Sequence, residues 1–252
     1  MRYRLACFDL DGTLLDTIGG LTSSLNAARR MNNLAPQTEE QVITFINNGV
    51  VRFIERSLAA DPGEYSEDLK QKLLKDNVSY YDSHCLDNTK PYNGIQEVLN
   101  RLKSDGMLLA CVSNKNDEPA KILVDHFFPG LFDYVSGSVE GVERKPSPEP
   151  VMKCLDALGI EKSEAVYIGD SDTDIKTAVN SGLDIISCSW GYRTREFLME
   201  NGAVNICSVP VDLRSFMRSV LCRRTRKQKR GRSSVLPLCA AFSLPWYSSE
   251  RR

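Results

Sequence analysis

Histidine is nearly missing: the 252 residues include only two, His84 and His126. Neither stands at metal-ligand spacing from a suitable partner, which disfavours a histidine-rich zinc site and a Ser-His-Asp triad. Long apolar runs are missing as well. No stretch approaches the roughly 18 apolar residues that a membrane-spanning helix needs. The N-terminal run Arg4-Leu5-Ala6-Cys7-Phe8 is too short for a signal sequence and flows straight into a charged segment. The eight cysteines form no C-x-x-C pair. Cys7, Cys111 and Cys188 lie in or beside apolar runs and are expected to be buried free thiols. A reducing, cytoplasmic setting is the expectation that follows.

Net charge is also small, at −1, but it is unevenly spread. From Arg214 onward there are 11 Lys and Arg against a single acid, Glu250, whereas residues 1–213 carry 21 basic and 32 acidic side chains. An acidic globule therefore precedes a basic tail. The run from Cys222 to Arg232 has no apolar face to bury, so residues 214–252 are expected to be disordered.

The remainder shows two kinds of periodicity. Residues 4–8 form a short apolar run that predicts a buried strand. From Thr17 to about Cys85 apolar residues recur at three- and four-residue steps, as in Leu21, Leu25 and Ala28. Pro36 and Asp61-Pro62-Gly63 divide this stretch into about four helices with no strand. After Tyr92-Asn93-Gly94 strands and helices alternate, with strands predicted at 107–112, 134–135, 165–168 and 184–187 and helices at 95–104, 118–126, 149–158 and 172–181. Such βα repetition predicts an α/β fold, a Rossmann-like parallel sheet with helices on both faces. The expected organisation is a core of residues 1–16 and 88–213, an inserted all-helical cap of residues 17–87, and the tail.

Carboxylates gather where these strands end, which in open α/β sheets is where ligands bind. Asp9 and Asp11 follow the first strand; Asp170, Asp172 and Asp174 follow the strand at 165–168. So many acids at one edge repel unless a cation holds them, and all-oxygen donors suit Mg²⁺. Gly12, Thr13, Gly169 and Ser171 are small enough for the backbone to approach a phosphate. Ser113 and Asn114 end the strand at 107–112 and offer a hydroxyl and a backbone N–H to phosphoryl oxygens. Lys145, stiffened by Pro146 and Pro148, offers a fixed positive charge.

Four segments, taken in order, resemble the motifs of the haloacid dehalogenase superfamily: Asp9-Leu10-Asp11-Gly12-Thr13, Val112-Ser113-Asn114-Lys115, Lys145-Pro146 and Gly169-Asp170-Ser171-Asp172-Thr173-Asp174. The long helical stretch after the first motif is similar to members with an inserted helical cap. Ile46-Asn47-Asn48-Gly49, Glu55-Arg56-Ser57-Leu58 and Trp190-Gly191-Tyr192 resemble the phosphoglycolate phosphatases within that superfamily. The resemblance spans residues 3–213 and implies a Mg²⁺-dependent phosphatase acting on a small phosphorylated metabolite, 2-phosphoglycolate first. It implies Asp9 as nucleophile, forming an aspartyl phosphate, and Asp11 as general acid and base oriented by Thr13. Metal ligands would be Asp9, the Asp11 carbonyl and Asp170. Ser113, Asn114, Lys145 and Thr13 would bind phosphate. Asp174 would orient Lys145 or metal-bound water, and Asp172 would do no more than cap its helix. Asn48, Gly49 and Arg52 of the cap would meet the leaving group, with Arg52 on a substrate carboxylate.

Two other readings stay open on the residues alone. A sugar phosphomutase would use the same aspartyl phosphate and hand the phosphoryl group to a second hydroxyl. A protein that binds an anionic polymer, such as nucleic acid, would use the basic tail, though the tail lacks interleaved aromatics and any recognition motif. No membrane partner is expected, and the expected state is a monomer or homodimer.

Overall fold

The structure is a computed structural model that describes residues 3–46 and 49–218. The first strand, β1 (Leu5–Phe8), is followed by the two-residue β2 (Leu15–Asp16) and four helices, α1 (Ile18–Met31), α2 (Glu39–Phe45), α3 (Gly49–Ala59) and α4 (Glu67–His84). Next come β3 (Lys90–Pro91), α5 (Ile95–Ser104), β4 (Leu108–Asn116), α6 (Asp117–Phe127), β5 (Tyr134–Ser138) and α7 (Glu149–Leu158). The last elements are β6 (Ala165–Gly169), α8 (Asp172–Ser181), β7 (Asp184–Cys188), α9 (Arg195–Glu200) and β8 (Ile206–Cys207).

Six strands form one parallel sheet in the order β5-β4-β1-β6-β7-β8. Alternation along β1 shows why both faces are covered. Ala6 and Phe8 pack with Val98, Leu102 and Leu123 of α5 and α6 on one face. Leu5 and Cys7 pack with Val151, Leu155 and Ile175 of α7 and α8 on the other. Period-2 side chains on a central strand thus feed two cores. The expected α/β fold is the one found. The six described cysteines are buried and form no disulfide.

The inserted helices have their own core, in which Leu25, Val42, Phe45, Ile54, Leu58 and Leu73 are buried together. Thr38 and Gln41 form a capping box at the start of α2, and Ser66 caps α4, so the breaks between helices are set by local chemistry. Arg29 crosses this layer fully buried, bonding the Ala35 carbonyl at 2.6 Å, Ser57 at 2.9 Å and Asp61 at 2.6 Å. A short antiparallel ribbon, Leu15 opposite Pro91 and Asp16 opposite Lys90, brackets the insertion.

The expected start of the tail needs correction. Residues 213–218 are helical, Leu213 and Met217 are fully buried, and Phe216 packs on the core. Arg214 makes a bidentate pair with Asp105 at 2.6 and 2.7 Å. Leu213 and Met217 are four residues apart and so share one helical face, which the arginines beside them obscure in the sequence. Residues 219–252 of the expected tail, and Asn48 of the cap, lie outside the described residues.

Candidate active site

Asp9 lies immediately beyond β1, where the parallel sheet leaves its strand ends open. One carboxylate oxygen accepts from the Leu10 N–H at 2.7 Å and from Lys145 Nζ at 2.8 Å. Lys145 is itself buried and also reaches Asp174 Oδ1 and the Tyr167 hydroxyl, both at 2.9 Å. Its position is fixed through its backbone. The Asn114 side chain accepts from the Lys145 N–H and donates to the Lys145 carbonyl, both at 2.9 Å. This pair of hydrogen bonds occupies the Asn114 side chain, so its main-chain N–H is what is left for the expected phosphate contact. The register between β4 and β5 shifts between Val112 and Asn116, which releases Ser113 to Lys115 from a regular ladder.

The second acidic segment follows β6. Asp170 accepts from Thr13 Oγ1 at 3.2 Å and from the Tyr192 N–H at 2.8 Å. Asp174 is fully buried; its second oxygen accepts from the Ser171 hydroxyl at 2.6 Å and the Ser171 N–H at 3.1 Å. Ser171 and Asp174 form a capping box, so Ser171, not Asp172, caps α8. Asp172 instead pairs with Lys176 one turn on, at 2.7 Å. Gly12, at φ +83°, lies so close to the Asp170 carboxylate that an added Cβ would collide with it. Gly191 is wedged between the Gly12 carbonyl and Asp170 in the same way. The two glycines let three loops close on one carboxylate.

Asp11 is held by groups the sequence reading did not choose. Its Oδ1 accepts from Thr17 at 2.7 Å, and its Oδ2 lies 3.1 Å from Lys115 Nζ. Thr13, expected to orient Asp11, bonds Asp170 instead, because its side chain is turned into the core and is fully buried. Thr17 is in turn gripped by Tyr192, whose hydroxyl accepts from the Thr17 N–H at 2.8 Å and lies 3.0 Å from its Oγ1. Trp190 donates to the Thr13 carbonyl at 3.0 Å, and Arg193 donates to the Ile43 and Ile46 carbonyls of the cap at 3.2 and 3.4 Å. The Trp190–Arg193 loop therefore ties both acidic segments to the helical layer.

Between sheet and cap lies a cavity of about 120 Å³ lined by Asp9, Asp11, Ser113 and Lys115 below and Gly49, Phe53 and Tyr81 above, among others. Of the two described cap residues expected here, Gly49 lines the cavity and Arg52 does not. Arg52 is 68% exposed and pairs with Glu55 at 2.7 Å. The buried stripe of α3 is Phe53, Ile54, Ser57 and Leu58, which turns Arg52 toward solvent. Both histidines are exposed, away from the site.

The acids strain against one another. Burial, then the charge of Asp174, pushes Asp9 up to about 7 despite the pull of Lys145. Burial, then Asp174 and Asp9, raises Asp170 well above the usual carboxylate range. Burial pulls Lys145 down, but Asp174 and Asp9 outweigh it and its net shift is upward. Oxygens of Asp9, Asp170 and Asp174 lie within 4.8 Å of one another. Hard oxygen donors that repel each other in a buried place fit a small dication. Asp174 gives one oxygen to Lys145 and the other to Ser171, so it is the most heavily braced of the three.

The fold and this constellation define a parallel α/β core with an aspartate-rich strand-end site. Residues 6–188 match the family model for haloacid dehalogenase-like hydrolases, and the chain belongs to that family. Its relatives narrow the comparison. It is 35% identical to a phosphoglycolate phosphatase of Aquifex aeolicus, over 75% of this chain and 86% of that one. It is 32% identical to a phosphoglycolate phosphatase of Rhodospirillum rubrum, over 79% and 84% respectively. The crystal structure of a candidate phosphoglycolate phosphatase from Lactobacillus delbrueckii subsp. bulgaricus superposes with a TM-score of 0.81 at 36% identity, covering 84% of this chain and 97% of that one.

Proposed function

We propose that this protein is a cytoplasmic, Mg²⁺-dependent phosphatase that hydrolyses a small phosphomonoester, 2-phosphoglycolate, through an aspartyl phosphate on Asp9. The observation that carries the reading is the pairing of Asp9 with buried Lys145, at 2.8 Å, directly beneath a cavity whose wall also holds Asp11. A nucleophile and a second carboxylate thus face one small space, with a buried cation held against the nucleophile from behind. The names of the relatives support the choice of ester.

In the first step an Asp9 oxygen forms a bond to phosphorus while the bond from phosphorus to the ester oxygen breaks. Asp11, held by Thr17, gives its proton to the departing alkoxide. In the second step water loses a proton to Asp11 and attacks phosphorus, and the bond to Asp9 breaks. Lys145 and the Ser113 hydroxyl stabilise the transferring oxygens. Asp9, the Asp11 carbonyl and Asp170 would hold Mg²⁺, which when bound neutralises charge on the carboxylates and the phosphoryl group. Asp174 keeps Lys145 in place. The cap screens the cavity from water during transfer.

The test is steady-state phosphate release with Mg²⁺ over a panel of 2-phosphoglycolate, sugar phosphates, nucleoside monophosphates and pyrophosphate. The expected result is the highest kcat/KM for 2-phosphoglycolate. Isomerised sugar phosphate with no release of free phosphate would overturn the reading in favour of a mutase.

A further inference from the structure

The cavity above Asp9 and Asp11 has unlike walls. Leu21, Ile46, Val50, Phe53 and Val78 make the cap side largely apolar, and Asp82 of that side is exposed to solvent. From the core side Lys115 enters with only 6% of its side chain exposed. An ammonium carries three donors. Asp11 takes one, at 3.1 Å, and the Tyr81 ring lies beneath the nitrogen, 4.5 Å from Nζ to centroid. Tyr81 is 8% exposed and lines the same cavity, yet among the described residues no acceptor takes the proton of its buried hydroxyl. A buried hydroxyl proton without an acceptor is costly, and a buried cation with a spare donor beside it compounds the imbalance. Both faults are cured by one ligand group, an anion with two acceptor oxygens.

We infer that Lys115 and Tyr81 form a carboxylate-binding subsite that selects phosphomonoesters bearing a carboxylate next to the ester oxygen. The inference rests on the phosphatase reading above and names the chemistry of its leaving group. Asp11 protonates the ester oxygen and Lys115 touches Asp11, so a carboxylate two bonds from that oxygen lies within reach of the ammonium. A neutral alcohol leaves both donors unpaired, and a long sugar overfills the cavity. Lys115 belongs to β4 and Tyr81 to α4, so a carboxylate between them joins core to cap. Closure of the cap is then favoured by the correct substrate and by no other.

The test compares 2-phosphoglycolate with ethyl phosphate, of similar size but without the carboxylate, in wild type, Lys115→Met, Lys115→Arg and Tyr81→Phe, each with Mg²⁺. The expected preference of wild type for 2-phosphoglycolate, as a ratio of kcat/KM, falls roughly 100-fold in Lys115→Met, chiefly through KM, and roughly tenfold in Tyr81→Phe. Lys115→Arg keeps part of it. Glycolate inhibits wild type against ethyl phosphate and loses that inhibition in Lys115→Met. Tyr81→Phe removes an oxygen whose proton no acceptor takes and keeps the ring, so it remains a fair test should Lys115→Met unfold. Equal losses on both esters, with the preference ratio unchanged, would overturn the subsite and reduce Lys115 to a partner of Asp11. Wild type that turns over both esters equally overturns the subsite but not the phosphatase. Wild type that turns over neither overturns the reading beneath it.

Discussion

Replacing Asp174 by asparagine asks how much of the site depends on one buried carboxylate. Both of its oxygens are committed: Oδ1 accepts from Lys145 Nζ at 2.9 Å, and Oδ2 accepts from the Ser171 N–H at 3.1 Å and its hydroxyl at 2.6 Å. An asparagine has one acceptor oxygen and one NH₂, so in either rotation the amide nitrogen faces a donor. Turned toward Lys145, it leaves the buried ammonium without one of its two carboxylate partners. Turned toward Ser171, it leaves a buried N–H unsatisfied, which costs about 1–3 kcal/mol, and weakens a charge-assisted bond worth about 1.5–3 kcal/mol. Removing the charge also relieves Asp9 and Asp170, both of which Asp174 pushes upward. Lys145 keeps Asp9 at 2.8 Å as a partner. The net loss should be about 3 kcal/mol, below the upper range for breaking a buried pair. At roughly 2–4 °C per kcal/mol for a chain of this size, Tm falls by about 6–12 °C. Differential scanning fluorimetry of wild type, Asp174→Asn and Ser171→Ala measures it, because Ser171→Ala removes the cap alone, at about 1 kcal/mol. Equal losses in the two variants would refute the reasoning, since the pairing with Lys145 would then contribute nothing.

Three further predictions follow from other contacts. Tyr192→Phe releases Thr17, and through it Asp11, so kcat should fall about tenfold with KM little changed; an unchanged kcat in stopped-time phosphate assays would show that Thr17 needs no support. Asp9 is raised in the folded, metal-free protein from 3.8 to about 7, so its folding contribution is complete below pH 3.8 and is lost as pH rises through about 7. Mg²⁺ binds the ionised carboxylates, so the rise in Tm on adding it should be larger at pH 8 than at pH 5.5; an equal or reversed increment contradicts the assignment. Arg29→Met breaks a buried pair with Asp61, which keeps 18% exposure, so the loss should be about 3 kcal/mol and amide exchange should rise in α1 and α3. Exchange unchanged in those helices would mean that Arg29 does not hold the insert together.

How much was legible depended on length and on distance along the chain. The central strands were readable because each is a run of apolar residues ended by a polar turn, as at Leu5–Phe8 before Asp9. β2, β3 and β8 are two residues long each, too short for any periodicity, and their existence depends on partners far along the chain. The gathering of Asp9, Asp11, Ser113, Asp170 and Asp174 at one edge was legible since strand ends concentrate chemistry, and Lys145 was legible from the prolines that stiffen its loop. Thr17 and Lys115 were harder. Their importance comes from Tyr192 and Tyr81, and no local pattern joins Lys115 to a tyrosine on a helix of the insert. The outward turn of Arg52 was legible too: Phe53, Ile54 and Leu58 mark the buried face of α3, and Arg52 is off it. Arg214 misled, because charge beside Leu213 and Met217 hid a buried face.

The covalent role proposed for Asp9 is tested most directly by phosphate release from 2-phosphoglycolate with Mg²⁺ in wild type and Asp9→Asn. Asparagine is neutral where the carboxylate is raised to about 7, so the variant should fold at least as well as wild type, and its melting curve checks this. The expected result is a folded variant whose rate is lower by at least about 10³-fold, the scale of losing a catalytic nucleophile. A folded Asp9→Asn protein that still releases phosphate at a rate near wild type would contradict it.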